Sequence, residues 1–149
     1  MRVLLQRVRE AKVSVGGREI ASIERGYLAL LGVAEGDSEA ELEWLAQKIL
    51  KMRLFPDDAG KMNLSLLEVG GAILMVSQFT LLADTKKGNR PSFIGAARPE
   101  QGKAFYLKMI ARPRELGVSV GEGEFGADMQ VALVNDGPVT IWIDSRDKA

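Results

Sequence analysis

The chain of 149 residues contains no histidine and no cysteine. These two absences remove a Ser-His-Asp triad, a Cys-His pair, a histidine general base and any zinc site built on imidazole or thiolate. Catalysis must then run on backbone amides, hydroxyls, carboxylates, amines or groups that the substrate brings. Without cysteine there is no disulfide, which fits a cytoplasmic protein. Long apolar runs are missing too: the longest fall far short of a membrane span, and the run near the start is short and broken by Arg7 and Arg9, which argues against a signal peptide. Nor is either sign of charge in excess. Twenty basic and twenty acidic residues balance, so no uniformly basic nucleic-acid surface is available and any RNA contact must come from a local patch.

What is present is a 46% hydrophobic chain, long enough to bury one sizeable core, and its length favours a single domain over 1–149 with no internal repeat. Arg2 to Arg9 and Ala11 to Val15 read as extended segments; Gly16-Gly17 is a hairpin signal and Ile20 to Ile23 pairs back. Gly26 to Val33 is an apolar run of strand length, expected to be buried on both faces. Ser38-Glu39-Ala40-Glu41 has the form of a capping box. Leu42, Leu45, Ala46, Ile49 and Leu50 then recur at helical spacing up to about Arg53, with Trp44 at the edge of that face. Pro56 to Gly60 is a turn, and Ala72 to Val76 a second buried strand introduced by Gly70-Gly71. Ala83 to Ala97 has no apolar period and reads as a long loop.

Pro99 suits the first turn of a second helix carrying Ala104, Leu107, Ile110 and Ala111; Pro113 should kink or end it near Arg112, with Gly117 as the stop. Val118 to Val120, Met129 to Val134 and Val139 to Ile143 complete the strands, with Gly137-Pro138 as the turn between the last two. Strands outnumber helices and tight turns join several of them. The expected fold is therefore α/β mixed: a curved, mostly antiparallel, barrel-like sheet with two helices packed on it.

Several patterns suggest sites. Gly121 to Gly126 matches G-x-G-x-x-G, with Asp144 downstream. However, the segment after the third glycine looks like a strand, and Glu122 and Glu124 would repel a pyrophosphate, so a glycine-rich loop is the better reading. Asp57, Asp58 and Asn63 fail the calcium-loop alternation and read as a surface turn. Lys86, Lys87 and Arg90 form a basic loop cluster suited to phosphates, although pattern alone favours an ordinary solvated loop. Ser77 and Thr80 cluster at a strand end. They lack a base partner in the sequence, so the simpler role is electrostatic, with the N–H groups of Phe79 and Thr80 and the Thr80 hydroxyl holding a carbonyl oxygen as negative charge develops. Gly137-Pro138 is most simply a tight turn. In the cis form, which costs an X-Pro bond only about 0.5–1 kcal/mol, it would hold successive carbonyls in a fixed orientation able to accept from an ammonium group.

Along nearly its whole length the chain resembles the D-aminoacyl-tRNA deacylases, also called D-tyrosyl-tRNA deacylases. The resemblance is carried by Leu5-Gln6-Arg7-Val8, Gly60-Lys61-Met62-Asn63-Leu64, Ser77-Gln78-Phe79-Thr80-Leu81, Arg90-Pro91-Ser92-Phe93, Ala127-Asp128-Met129-Gln130-Val131 and Asn135-Asp136-Gly137-Pro138-Val139-Thr140. No core motif departs from the family pattern; Pro113 within the second helix is unusual beside it.

The resemblance implies hydrolysis of the ester joining a D-amino acid to the terminal ribose of tRNA. It implies a cytoplasmic homodimer, with no metal or organic cofactor and no membrane or DNA partner. It further implies a cis Gly137-Pro138 bond reaching into the partner subunit's pocket, where its carbonyls capture the α-amino group and an L side chain would collide. Glycyl-tRNA mischarged on the alanine tRNA should also be cleaved, and the 2′-hydroxyl of the tRNA should assist the attack. Phe79 and Thr80 fall to the oxyanion side, Ser77 and Gln78 to the pocket around the terminal nucleotide, Met129 to its wall, Arg7 to anchoring the Gly-Pro loop, and Lys86, Lys87 and Arg90 to tRNA. The competing readings are a non-catalytic tRNA-binding module and a covalent Thr80 esterase.

Overall fold

A single 14-residue strand, β1 (Arg2–Val15), replaces the two extended segments read at the start of the sequence. In the computed structural model it pairs antiparallel with β2 (Arg18–Ile23) through its second half and with β3 (Gly26–Gly32) through its first. β3 continues parallel to β6 (Ala72–Ser77), and β6 parallel to β7 (Val120–Glu122). β8 (Met129–Asp144) runs antiparallel along β1 from end to end. The sheet order is β2-β1-β3-β6-β7 with β8 on β1, the mixed, mostly antiparallel, barrel-like sheet expected. A separate two-stranded ladder joins β4 (Phe55–Pro56) to β5 (Met62–Leu64). The structure describes residues 1–147; the ends of the expected 1–149 domain, Lys148 and Ala149, lie outside the described residues.

Burial on both faces of β3 and β6 follows from the period of two. Tyr27, Ala29 and Leu31, with Ile73 and Met75, face a layer that includes α1 (Glu39–Lys51) and α3 (Pro99–Glu115). The alternate residues Leu28, Leu74 and Val76 point into the barrel, where they meet Val8, Ala11, Val13 and Ile23. Each strand therefore needs apolar side chains at nearly every position, which is why both read as unbroken hydrophobic runs. β1 changes sides partway. Val3 and Leu5 belong to the helix layer, whereas Val8, Ala11 and Val13 belong to the barrel interior. Between Val8 and Glu10 β1 carries one residue more than the β8 segment facing it, and a bulge of this kind reverses which odd or even residues of the strand face inward.

α1 forms as its sequence predicts. The Ser38 side chain accepts from the Ala40 N–H, and Glu41 reaches back to the Ser38 N–H at 2.7 Å; the five apolar residues at helical spacing are all buried. Three expectations need correction. First, α3 does not stop at Pro113 but runs to Glu115. Pro113 sits so near the end that the Leu116 and Val118 N–H groups simply take its carbonyl, and the missing N–H matters little. Second, its buried face is Phe105, Tyr106, Met109 and Ile110 rather than Ala104, Leu107 and Ala111. The larger rings outcompete alanine for the core, and the Tyr106 hydroxyl finds the Met75 carbonyl at 2.8 Å. Third, Gly137-Pro138 is not a turn between two strands: β8 bulges off β1 there and then resumes in the same direction. A one-turn helix, α2 (Leu66–Val69), brings the α-helices among the described residues to three. Among the described residues no helix is long and apolar enough to cross a membrane.

Ionic contacts tie the far end of β8 to the start of β1. Burial works against ionisation of Asp144, yet the Arg146 N–H and the Arg2 guanidinium, at 3.0 Å, hold its carboxyl below the ordinary carboxylate range. A lowered folded-state value stabilises the fold above the unfolded value, and the contribution disappears as pH falls through the folded one. Thermal melts of the parent should therefore fall more steeply below about pH 4 than those of Asp144→Asn, the two curves converging at the acid end. Parallel curves at all pH values would remove Asp144 from the acid transition.

Candidate functional site

The carboxyl ends of β3 and β6 stop side by side, with Leu31 opposite Ser77. Beyond them the chain enters a 3₁₀ turn, Phe79–Leu82. Three contacts seat this turn. Gln78 N–H donates to Leu31 O at 2.7 Å, Leu81 N–H to Gln78 O at 3.2 Å, and Arg2 Nη1 to Leu81 O at 2.7 Å. The N–H groups of Phe79 and Thr80, the first two of the turn, have no acceptor among the described residues. Gly32 makes the close approach possible. A Cβ there would lie 2.6 Å from Leu82 Cδ2 and 3.1 Å from Gln78 O. Gly32→Ala should displace the turn by a few tenths of an ångström, lower stability by about 1–2 kcal/mol and reduce turnover about tenfold, as small displacements of reacting geometry do. Parent-like kinetics from this variant would show that the turn's position is not critical.

Beside the turn lies a cavity of about 570 Å³, within the size range of a small-ligand site. Ser77, Gln78 and Phe79 form one wall and Met129, at the start of β8, another. Sequence reasoning had grouped these four residues, and the fold does bring them together. It had not found the rest of the lining. Phe93, Ala96 and Ala97 come from the return limb of the 83–97 loop, which docks through Ala97 N–H to Val33 O and Glu35 N–H to Gly95 O, both at 2.9 Å. Phe125 and Gly126 come from the glycine-rich segment that fails as a dinucleotide fingerprint, and Asp128 from the residues that lead from it into β8. Phe93 stands in the Arg90-Pro91-Ser92-Phe93 motif and Asp128 in the Ala127-Asp128-Met129-Gln130-Val131 motif, and those memberships were the available signal.

The cavity is apolar for most of its lining, and Asp128 is its single ionisable side chain. Phe79, 55% exposed, meets Phe93 edge to face at the mouth, with centroids 5.1 Å apart. Thr80 does not line the cavity; its hydroxyl lies beside it and accepts from the Gln78 carboxamide. Behind the opposite wall the Tyr106 ring lies 6.0 Å from Phe125, and its hydroxyl also reaches Gly123 O at 3.5 Å. Burial, reinforced by Glu122, pushes the Tyr106 phenol well above its usual range, so it remains a neutral donor. Tyr106→Phe frees the Met75 carbonyl and should cost about 1–2 kcal/mol, read as a lower melting temperature with KM raised a few-fold. An unchanged melting temperature would mean that this bond supports nothing.

The remaining predicted residues lie elsewhere. Lys86, Lys87 and Arg90 are exposed on the tip of the long loop, whose base is clamped by reciprocal Asp84–Ser92 backbone bonds of 2.7 and 2.9 Å. Arg7, Gly137 and Pro138 form a second centre outside the cavity of their own chain. The Gly137–Pro138 peptide is cis. β8 leaves its ladder between Asn135, opposite Val8, and Thr140, opposite Gln6, and Arg7 lies between those two partners. Arg7 is 8% exposed. Its Nη1 donates to Leu54 O at 2.6 Å and its Nε to Asp136 O at 3.2 Å, with the Asp136 carboxylate 3.4 Å away. The neighbouring Tyr27 phenol is raised by burial against an opposing pull from Arg7, and its hydroxyl is the one buried side-chain polar atom without a partner among the described residues.

The family model described as D-Tyr-tRNA(Tyr) deacylase matches residues 4–144. A D-aminoacyl-tRNA deacylase of Thermomicrobium roseum is 58% identical over 147 residues, covering 99% of this chain and 96% of that one. Another, from Lacticaseibacillus casei, is 54% identical over 148 residues, covering 99% and 100%. Among solved structures, the c-Myc DNA Unwinding Element Binding Protein superposes with a TM-score of 0.91 at 42% identity, covering 97% of this chain and 98% of that chain. A probable eukaryotic D-amino acid tRNA deacylase superposes at 0.83 with 19% identity, a likeness of fold, covering 95% and 97%.

Proposed function

The chain belongs to the D-Tyr-tRNA deacylase family of hydrolases, acting on D-aminoacyl-tRNA, and on that footing we propose how its own residues carry out and restrict the reaction. Water adds to the ester carbonyl carbon, the bond to the ribose 3′-oxygen breaks, and that oxygen takes a proton, leaving a free D-amino acid and tRNA. The observation that carries the mechanism is the pair of unpaired N–H groups, Phe79 and Thr80, beside an apolar cavity. They hold the carbonyl oxygen as it becomes negative, where one such donor is typically worth about 10²–10³ in rate. The Thr80 hydroxyl is engaged by Gln78 and touches no base among the described residues, so it serves as a polar contact and the 2′-hydroxyl of the terminal ribose assists the attack. An aminoacyl ester is activated already, and proximity supplies much of the remainder.

Ser77, Gln78 and Met129 shape the pocket for the terminal nucleotide, while Lys86, Lys87 and Arg90 meet tRNA phosphates. Chirality is read by a second copy of this chain. Gly137 and Pro138 are exposed and do not line their own cavity, which frees them to enter another. β8 pairs with β1 alone among the described residues, and its outer edge carries Val134 and Trp142, about half exposed, a surface suited to such an interface. Within the partner's pocket the Gly137 and Pro138 carbonyls accept from the substrate ammonium, and the loop occupies the space an L side chain would need. A glycyl group has no side chain to reject, so glycyl-tRNA mischarged on the alanine tRNA is a substrate as well. The enzyme works in the cytoplasm, where charged tRNA is found.

Parallel assays on D- and L-tyrosyl-tRNA test this reading: the D-form should be cleaved and the L-form spared, and equal rates would refute it. A substrate ending in 2′-deoxyadenosine should react at least tenfold more slowly. Normal rates on it, together with an isolable acyl-enzyme, would transfer the chemistry to Thr80.

A further inference from the structure

An interrupted ladder must satisfy its displaced backbone groups by other means. Where β8 departs from β1, the Asn135 side chain does so. Its Nδ2 donates to Arg7 O on β1 at 2.9 Å and to Val139 O, on the returning limb of the excursion, at 3.0 Å. Its Oδ1 accepts from the Thr140 hydroxyl at 3.4 Å, and that hydroxyl accepts from Gln6 Nε2 at 3.5 Å. One carboxamide thus ties both ends of the excursion to each other and to the strand beneath. Arg7 holds the outgoing limb by the Asp136 carbonyl, and Asn135 holds the returning limb by the Val139 carbonyl. Gly137 and Pro138 lie exposed between these two fixed points.

We propose that Asn135 is the positioning residue that aims the Gly137 and Pro138 carbonyls, so that D/L discrimination depends on its two amide donations. The inference rests on the reading that those carbonyls receive the substrate ammonium. A loop anchored at one limb can pivot about that anchor; anchored at both it presents its carbonyls in one direction, as orientation-dependent recognition requires. Asparagine suits the position because a single NH₂ can serve two acceptors while the same group's oxygen still takes the Thr140 hydroxyl. Aspartate has nearly the same shape but no donor, and its carboxylate would face two carbonyl oxygens.

The test compares kcat/KM on D- and L-tyrosyl-tRNA for the parent, Asn135→Asp, Thr140→Val and Gly137→Ala dimers at 25 °C. A loss of folded protein lowers both rates equally, so the D/L ratio reports aim rather than stability. Asn135→Asp should lower that ratio at least tenfold, mainly through kcat on the D-substrate, and Thr140→Val, which only loosens the carboxamide, about two- to threefold. Should Asn135→Asp fail to fold, Thr140→Val decides by the same ratio. A parent-like ratio in both, with a collapsed ratio in Gly137→Ala, overturns the role of Asn135 and leaves the loop as the filter. Parent-like ratios in all three overturn the loop reading and this inference with it.

Discussion

Arg7→Ala should lose at least 10²-fold in kcat/KM on D-tyrosyl-tRNA and melt about 6–12 °C lower than the parent. The guanidinium is almost fully buried, and its bonds to Leu54 O and Asp136 O join β1 both to β8 and to the residue that precedes β4. Truncation leaves two carbonyls without donors, the Asp136 carboxylate short of its nearest buried cation, and a void beside Tyr27. Removing one partner from a buried charged network costs about 3 kcal/mol or more, and in a chain of this length each kcal/mol shifts the melting temperature by about 2–4 °C. The activity loss has a separate origin, because Arg7 is one of the two fastenings of the Gly-Pro excursion. Arg7→Lys tells the two apart. A lysine restores the charge but cannot fork to two carbonyls, so it should recover most of the melting temperature and little of the activity. If Arg7→Ala melts within 2 °C of the parent and turns over within twofold of it, Arg7 is not an anchor.

Gly137→Ala should be the most damaging single-methyl addition to function. Gly137 has φ of +122°, a region L side chains rarely adopt, and a Cβ would stand 2.9 Å from Val139 Cγ2 and 3.0 Å from Arg7 Nη2. The methyl therefore meets the returning limb and the Arg7 anchor at once, and relief requires either the loop to swing or the guanidinium to leave the Asp136 carbonyl. Overpacking of this kind costs about 1–3 kcal/mol. We expect a fall of about 10² in kcat/KM on D-tyrosyl-tRNA, the usual consequence of misplacing a contact group by about 1 Å, together with a reduced D/L ratio. Melting measurements separate this from lost folding: a folded variant with unaltered kinetics would show that the Gly137 carbonyl plays no part.

The lack of histidine and cysteine settled at the outset what the chemistry could not be. Other features were also legible because they are local. The capping box at Ser38 and the apolar spacing of α1 lie within a few turns of chain, and the doubly buried β3 and β6 show as uninterrupted hydrophobic runs. The Ser77–Leu81 motif stood where a strand had to end. The sequence period could not choose the buried face of α3, because Phe105 and Tyr106 compete with Ala104 and Leu107 only through what packs against them. Nor could it place Phe93 and Phe125 on one cavity with Ser77, since those residues meet through loop docking and strand order rather than proximity in the chain.

Gly137-Pro138 marks the boundary most clearly. As a dipeptide it reads as a hairpin turn, yet β8 continues past it because both halves find partners on the same long β1, with Arg7 occupying the gap. Composition and short-range periodicity determined which elements form and which catalytic chemistries are open, since both depend on neighbours in sequence. Register, cavity and the anchoring of the loop were decided only in three dimensions, because each depends on pairing energies between segments that are distant along the chain.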